Sequence, residues 1–402
     1  MKTLEWIKGG VTAAIGFQAD GIACGIKRRR KDLALIYSPF SCAAAGVFTQ
    51  NRLQAAPVVV TRQHLRSSYS KAILVNSGNA NCATGKQGFK DAEEMTRVAA
   101  KVLHANPKEV LVASTGVIGR RLPMTVIRHG IVTVAEHLTQ HGSSHAAEAI
   151  LTTDRMVKEA AVQYSVKGEK ITLGAIAKGA GMIAPHMATM LCFITSDANI
   201  SRTALRKSLR AGVETSFNAI TIDGEMSTND MVLILANRQA GNSQIQPDGI
   251  GYREFTQALQ TLLERMARMI VLDAEGGTRF VEIRVDGAKR SDDARKVAFR
   301  IANSLLVKTM LSGADPNWGR VVACVGSSGV SVRMDKVLVS IGTIGVYHKG
   351  EPVSHDPGEL RRYLKQKEVQ ISVHLGLGKS NCRVWTSDLS ADYVKINAGY
   401  TT

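Results

Sequence analysis

The chain has 402 residues, of which 45% are hydrophobic and 21% charged, proportions that are ordinary for a globular protein with a large core. The formal net charge is +17, but aromatic residues make up only 5% of the chain, which argues against a protein that stacks nucleic-acid bases. The six cysteines form no C-x-x-C pair, so we expect neither a zinc site nor a disulfide framework. No apolar run approaches the ~18 residues of a spanning helix, and the N-terminus lacks the apolar core of a signal peptide. We therefore expect a cytoplasmic protein that does not bind membranes.

Short apolar runs bounded by Gly, Asn or Ser predict strands along the whole chain. They lie at 33–36, 58–61, 72–75, 110–113, 190–194, 231–236, 330–332, 337–341 and 369–373. Longer segments with a capping residue in front, or with apolar residues three or four positions apart, predict helices. These are 91–105, 202–217, 252–272, 292–311 and 357–366, with Ser201, Ser291 and Asp356 as candidate caps.

The predicted strands and helices mix without a strict βαβ rhythm. This predicts an α/β (mixed α+β) fold, with layered sheets and helices in a two-lobed body and a C-terminal lobe from about residue 280. No G-x-G-x-x-G follows a strand, so a Rossmann fold is not expected. The basic run 27–31, between two predicted strands, is expected to form a solvated turn.

The segment 178–195 is the most informative part of the sequence. A Gly-rich approach leads to Ala188-Thr189, and the apolar run 190–194 follows. A Thr hydroxyl can attack the carbonyl before it, and water then releases the resulting ester. Cleavage at this bond would make Thr189 a new N-terminus whose α-amine serves as the base for its own hydroxyl. Taken alone, the pattern is weak, because Ala-Thr pairs are common at the starts of strands and Gly-rich turns usually serve only the backbone.

Several longer sequence motifs accompany this segment along the chain. They are Val75-Asn-Ser-Gly-Asn-Ala-Asn81, Ser114-Thr-Gly-Val-Ile-Gly119, Phe217-Asn218, Asp223-Gly-Glu-Met-Ser-Thr-Asn-Asp230, Asp273-Ala-Glu-Gly-Gly-Thr278, Asp315-Pro-Asn-Trp-Gly-Arg320 and Asp392-Tyr-Val-Lys-Ile-Asn397. Together they resemble the ornithine acetyltransferase (glutamate N-acetyltransferase) family of arginine biosynthesis, over nearly the whole chain. His186 departs from the family, which usually has Asn there, and so bears on the efficiency of cleavage.

The resemblance implies roles for individual residues. Thr189 would be the nucleophile, and Thr115 and Gly116 would form the oxyanion hole. The implied substrate-binding residues are Thr152, Lys178, Thr189, Glu275, Asn397 and Thr402. Cleavage between Ala188 and Thr189 would give an alpha chain of residues 1–188 and a beta chain of residues 189–402.

The resemblance also implies the reaction and the assembly. Thr189 would take acetyl from N2-acetylornithine and pass it to glutamate, without a metal or an organic cofactor. Two alpha and two beta chains would form a heterotetramer. Whether acetyl-CoA also serves as donor stays open. The alternatives are an N-terminal-nucleophile aminopeptidase or amidohydrolase, and a basic binding protein without chemistry.

Overall fold

The computed structural model of the chain describes residues 4–67, 69–184 and 190–399. Most of its strands form one large mixed sheet. They are β1 (Glu5–Ile7), β2 (Gln18–Ile22), β3 (Leu33–Phe48), β4 (Ser70–Asn79), β5 (Val110–Val117), β6 (Lys158–Val166), β7 (Glu169–Lys178), β8 (Leu191–Ser196) and β9 (Met231–Ala236). The strand order across this sheet is β1-β6-β7-β8-β9-β3-β4-β5, with β2 paired to β3.

The long strand β3 joins the two halves of this sheet. Its first part, 33–37, pairs with β2 and β4, whereas its last part, 43–48, pairs with β9. The pairs β4·β5 and β8·β9 are parallel, so within each pair the two strands end at the same edge of the sheet. Polar segments that leave or enter these strands can therefore meet at one edge.

A second sheet follows along the chain, in the order β13-β12-β11-β14-β10-β15. Its strands are β10 (Phe280–Ala288), β11 (Leu338–Ile341), β12 (Ile344–His348), β13 (Glu351–Pro352), β14 (Glu368–His374) and β15 (Ser380–Ser387). Most of its inward-facing residues build a core of their own, while Phe280 and Trp385 pack into a core of the first sheet.

Helices cover both sheets and complete the layers. They are α1 (Ala56–His64), α2 (Gly85–Val102), α3 (Met124–Glu136), α4 (Ser143–Ala149), α5 (Arg202–Thr215), α6 (Tyr252–Leu272), α7 (Ser291–Ala302), α8 (Leu305–Gly313), α9 (Gly319–Gly326), α10 (Pro357–Leu364) and α11 (Ala391–Gly399). Within the described ranges, none of these helices combines the length and apolarity needed to cross a membrane. The predicted mixed α/β class with layered sheets, which is not a Rossmann fold, is confirmed.

Several predicted elements are confirmed, some to the residue. Strand β9 and helix α6 have the predicted bounds. Helix α5 follows Ser201, whose hydroxyl accepts a hydrogen bond from the Ala204 N–H, and α10 follows Asp356 in the same way. Strong local signals, namely a cap or a sustained apolar period, were present at each of these positions.

The strand predicted at 58–61 is wrong, because these residues belong to α1. Pro57 occupies the first turn of this helix, where its missing N–H is not needed. A run of four buried apolar residues does not distinguish a strand from a helix by its period. Here the β-branched composition favoured the wrong choice.

Two other predictions need correction. Residues 330–332 lie in the loop after α9 and form no strand. The single helix predicted at 292–311 is two helices, α7 and α8, and Ser304 caps the second one through the Val307 N–H. The predicted cap Ser291 is itself the first residue of α7 and makes no capping hydrogen bond.

The basic run 27–31 lies between β2 and β3 as predicted, but it is not wholly solvated. Lys27 is half-buried, and its ammonium donates a hydrogen bond to the Leu151 carbonyl at 2.9 Å. Burial lowers the pKa of Lys27 to about 8. The turn is thus packed against the loop that contains Thr152.

Candidate active site

A small polar pocket opens where β5 and β7 end and where the loop before β9 approaches them. Its volume is about 90 Å³. It is lined by Ala80, Thr115, Gly116, Ile118, Thr152, Thr153, Lys178, Gly181, Met182, Ser227, Thr228, Asn229, Glu275 and Asn397. The lining residues come from distant parts of the chain, so only the folded sheet brings them together.

The C-terminal end of β5 contributes Thr115 and Gly116 to this pocket. Gly116 has φ +126° and lies beside Gly78 of the parallel strand β4. A Cβ at Gly116 would be 2.3 Å from the Gly78 carbonyl carbon, so no larger residue fits without moving the backbone. This close approach keeps the backbone around Gly116 free of side-chain cover at the pocket wall.

A network of amide and hydroxyl side chains holds this wall in place. The Asn229 amide donates to the carbonyls of Ala80, at 2.6 Å, and Ser114, at 2.8 Å. The Ser114 hydroxyl donates to the side-chain amide oxygen of Asn76 at 2.5 Å. Three of the sequence motifs, 75–81, 114–119 and 223–230, therefore meet here and are joined by hydrogen bonds behind Thr115.

Lys178 lies at the opposite wall, at the end of β7, in a buried charge network. Its ammonium is 4.0 Å from the Asp154 carboxylate, which also accepts from Lys158 at 2.7 Å. The Lys158 ammonium also forms an ion pair with the Asp273 carboxylate at 2.6 Å, and Asp273 forms a second ion pair with Arg155. The network holds three cationic and two anionic side chains, and Lys178 is the member that lines the pocket, where Glu275 is the other charged lining residue.

The pKa values of this network follow from burial and from its opposite charges. Burial opposes the charged form of Asp154, but Lys178 and Lys158 outweigh it and lower the pKa of Asp154 to about 2. Burial lowers the pKa of Lys178, which Asp154 partly offsets. An anion entering the pocket would meet a buried ammonium whose charge is only partly compensated.

Glu275 and Asn397 form a third side of the pocket. The Asn397 amide donates to the Glu275 carboxylate at 2.8 Å, and the Glu275 N–H donates to the Ala180 carbonyl at 2.8 Å. Glu275 folds directly over Gly181, where a Cβ would be 2.4 Å from a carboxylate oxygen. Gly181 thus allows the carboxylate to reach the pocket.

The motif 223–230 anchors the chain on both sides of residues 185–189. Upstream, the Asp223 carboxylate accepts hydrogen bonds from the N–H groups of Met182, at 2.6 Å, and Ile183, at 2.8 Å. Downstream, the Asp230 carboxylate accepts one from the Met190 N–H at 3.0 Å. Two aspartates of one loop therefore fix the approaches to the predicted cleavage site, a role that the sequence did not suggest.

Asp230 is fully buried, and its second carboxylate oxygen makes no hydrogen bond to a described residue. Burial raises the pKa of Asp230 well above its ordinary value, although the Met190 N–H, the Ser227 hydroxyl and Lys178 oppose the shift. Burial thus favours the protonated form of the carboxyl group that accepts from the Met190 N–H.

The structure brings together most of the residues predicted for the site. Thr115, Gly116, Thr152, Lys178, Glu275 and Asn397 all line the one pocket. Ala188, Thr189 and Thr402 lie outside the described residues, as does His186. Sequence reasoning missed Asp154, Asp230 and Asn229, although Asn229 and Asp230 stand in a motif that it singled out.

Within the ranges that the structure describes, no group of three or more His, Cys, Asp or Glu side chains is arranged to hold a metal ion.

Comparison with known proteins decides the family. Residues 18–402 match the ArgJ family. The arginine biosynthesis bifunctional protein ArgJ of Symbiobacterium thermophilum is 47% identical, covering 99% of this chain and 100% of that protein. The protein of the same name from Oceanobacillus iheyensis is 43% identical, covering 100% of this chain and 99% of the relative.

The chain belongs to the ArgJ family. The resemblance that the sequence motifs indicated is confirmed, and so is the predicted enzyme class, a glutamate N-acetyltransferase (ornithine acetyltransferase) of arginine biosynthesis. A solved chain of ornithine acetyltransferase complexed with ornithine, from Mycobacterium tuberculosis, is 39% identical. It covers 46% of this chain and 98% of that chain, with a TM-score of 0.43.

Proposed function

We propose that the chain moves acetyl from N2-acetylornithine to glutamate through an acetyl ester of Thr189. One observation carries this proposal. Thr115, Gly116, Lys178 and Glu275 converge on one pocket, and the two ends of the segment that holds Thr189 are anchored beside it. The described part of the pocket then offers an oxyanion-binding wall and two charged groups for an amino-acid substrate, and the proposed nucleophile belongs to the segment between the two anchored ends.

The first step we propose is self-cleavage between Ala188 and Thr189. The Thr189 hydroxyl adds to the Ala188 carbonyl carbon, the C–N bond breaks, and the leaving nitrogen takes up the hydroxyl proton. Water then hydrolyses the ester and leaves a carboxylate on Ala188 and a free α-amine on Thr189. An α-amine with a pKa of about 7.7–8.0 is suited to act as a general base near neutral pH.

In the first half-reaction, the α-amine takes the hydroxyl proton as the Thr189 oxygen attacks the acetamide carbonyl. The tetrahedral oxyanion lies at Thr115 and Gly116, which offer backbone N–H groups and a hydroxyl. The carbon–nitrogen bond then breaks, the proton passes to the leaving amine, and ornithine departs. In the second half-reaction, the glutamate amine attacks the acetyl ester and restores the Thr189 hydroxyl.

The charges of the pocket suit substrates with an amino-acid head. Lys178 and Thr152 would hold the α-carboxylate, because Lys178 is the cationic side chain of the described lining. Glu275, held by Asn397, would meet an ammonium group. Thr402 is a further substrate-binding residue in this proposal.

The decisive experiment compares wild type with Thr189→Ala and Thr189→Ser. Intact-mass analysis under denaturing conditions should show residues 1–188 and 189–402 for wild type, one uncut chain for Thr189→Ala, and cleavage restored in part by Thr189→Ser. Labelled acetyl should move from N2-acetylornithine to glutamate. An uncut but fully active wild type would overturn the mechanism.

The same assay separates the alternatives. Release of free acetate without N-acetylglutamate would instead indicate an aminopeptidase or amidohydrolase. Replacing N2-acetylornithine by acetyl-CoA decides whether the thioester also serves as donor.

Lys178→Ala tests substrate binding. We expect KM for both N2-acetylornithine and glutamate to rise at least about tenfold, since a charge-assisted contact contributes roughly 1.5–3 kcal/mol, with a smaller change in kcat. Asp154 keeps Lys158 as its partner, so the fold should survive. Lys170→Ala, at an exposed position of the same strand, is the matched control and should leave both KM values unchanged. Unchanged KM values in Lys178→Ala would remove Lys178 from the site.

We propose that the cleaved chains assemble as a cytoplasmic heterotetramer of two alpha and two beta chains. In this arrangement the second sheet, with α7 to α10, forms the C-terminal lobe of the beta chain.

A further inference from the structure

A second, larger cavity lies on the face of the first sheet where α1 and α5 meet β3. Its volume is about 510 Å³. It is lined by Ala44, Ala45, Gly46, Phe48, Arg62, Leu65, Arg66, Arg202, Thr203, Arg206 and Arg210. We call it the arginine groove, because five of these residues are arginines and none of the described lining residues is acidic.

The arginines come from two parts of the chain and form what we call two rows. Arg202, Arg206 and Arg210 are four residues apart on α5 and therefore share one face of the helix, whereas Arg62 lies in the last turn of α1 and Arg66 in the turn that follows it. None of the five forms an ion pair with a described carboxylate, whereas arginines elsewhere, such as Arg155 and Arg279, do. Like charges at this spacing repel each other, so the groove has uncompensated charge that an anion would neutralise.

Two of the five guanidinium groups are held in place before any ligand arrives. Arg62 donates to the Gln54 side-chain oxygen at 2.9 Å and lies over the Phe48 ring at 5.0 Å. Arg202 donates to the Leu65 carbonyl at 2.6 Å, which ties the end of α1 to the start of α5. These contacts fix the distance between the rows, so the groove is largely preformed.

The other three, Arg66, Arg206 and Arg210, are exposed and make no side-chain hydrogen bond to a described residue. Their donors are available to a ligand. A guanidinium presents two parallel N–H groups that match the oxygen spacing of a phosphate. Ala44, Ala45 and Gly46 of β3 also line the groove.

We propose that the arginine groove binds a compact polyphosphate anion, such as a nucleoside triphosphate. Two rows of guanidinium groups that line one groove favour a ligand with several adjacent phosphates over a single carboxylate, since each row can hold a different phosphate. The volume is in the range of small-ligand sites. The start of α5 adds its partial positive charge at one end of the groove. No part of the acetyl-transfer site is shared with this groove.

The test is titration calorimetry of the purified protein with ATP, inorganic tripolyphosphate and inorganic phosphate at low and moderate salt. We expect tripolyphosphate to bind more tightly than phosphate and binding to weaken as salt rises. ATP bound more tightly than tripolyphosphate would identify a nucleotide, and equal affinities would identify the polyphosphate alone. The double variant Arg206→Glu/Arg210→Glu should lower the affinity at least about tenfold, given what charge-assisted contacts contribute.

The double variant Arg97→Glu/Arg361→Glu is the matched control, because it reverses the same number of charges at exposed positions of α2 and α10. It should change the affinity by less than about twofold, and both variants should retain acetyl transfer, which shows that they fold. An equal loss of affinity in both variants, or no binding by wild type, would overturn the proposal. Binding only of long oligonucleotides would also overturn it, and would assign the surface to nucleic acid.

Discussion

Gly116 is the residue at which local backbone geometry and the proposed chemistry depend most directly on each other. Its positive φ and the 2.3 Å approach to Gly78 exclude any side chain. Gly116→Ala should displace the backbone N–H groups at the proposed oxyanion hole, where loss of one donor costs about 10²–10³ in rate. Steady-state kinetics of acetyl transfer should show a fall in kcat of this order.

Gly119→Ala is the matched control, since Gly119 also has a positive φ, +83°, but a Cβ there meets nothing within 4 Å. Gly119→Ala should lose roughly 1–2 kcal/mol of stability from the left-handed conformation, and Gly116→Ala should lose more, because its Cβ also overlaps the Gly78 backbone. Only Gly116→Ala should lose activity; equal losses in the two variants would mean that backbone strain alone, and not the oxyanion hole, determines the effect.

Asp230 gives a prediction for stability against pH. Burial raises its pKa in the folded state well above the unfolded value, so the folded protein retains a proton that the unfolded chain releases. Its contribution to the free energy of unfolding is therefore fully present below about pH 3.9 and is lost as the pH rises toward the folded pKa. Asp230→Asn cannot ionise, and its Tm should exceed that of wild type by more at pH 7 than at pH 4.

Asp286→Asn, at an exposed position of β10 whose side chain forms no ion pair with a described residue, should show no such difference between the two pH values. Asp230→Asn keeps an acceptor for the Met190 N–H, whereas Asp230→Ala does not. We therefore expect cleavage to persist in Asp230→Asn and to slow in Asp230→Ala, as followed by denaturing gel. Equal pH profiles of Tm for wild type and Asp230→Asn would contradict the raised pKa.

At the residue scale, the sequence predicted the site residues that belong to motifs with a recognisable chemical role. Thr115-Gly116 and Lys178 all line the pocket. Asp154 could not be predicted, because its partners Lys178 and Lys158 become neighbours only when β6 and β7 pair. An isolated Asp gives no local signal of burial.

At the scale of elements, the junction between α7 and α8 shows how a single cap divides a helical segment. The Ser304 hydroxyl accepts from the Val307 N–H and starts α8, whereas Ser291 makes no capping bond at the start of α7. Ser304→Ala should lower the free energy of unfolding by about 1 kcal/mol. Ser291→Ala should change it by less than about 0.5 kcal/mol.

Urea denaturation of the two variants checks this prediction. A larger loss in Ser291→Ala than in Ser304→Ala would mean that the sequence-based cap, rather than the observed one, stabilises the segment. The helix predicted at 292–311 rested on the candidate cap Ser291, which did not show the break at Asn303-Ser304; both observed helices present apolar residues to the same core.

For the whole molecule, the proposed cleavage would cut between two strands that pair with each other. Strand β7 precedes residues 185–189 and β8 follows them, and 173–178 pairs with 191–196. Strand β3 of the upstream part also pairs with β9 of the downstream part. Residues 1–188 and 189–402 would therefore share one sheet and its cores.

We expect the two fragments to coelute in size-exclusion chromatography under native conditions and to separate only in denaturant. Native mass spectrometry should then give the mass of two alpha and two beta chains. Elution of either fragment alone without denaturant would contradict the shared sheet, and a native mass of one alpha and one beta chain would contradict the heterotetramer.

The sequence by itself determined the family, the fold class and the motifs that contain the candidate site residues. These features depend on contiguous residues and on the residue types that caps, turns and glycine positions require locally. Only the tertiary structure showed the charge network around Asp154, the two aspartates that flank residues 185–189, and the arginine groove. Each of these joins residues far apart in the chain, for example Arg62 on α1 and Arg206 on α5. Their energies depend on distance through space and on burial, and neither is encoded in the spacing of residues along a sequence.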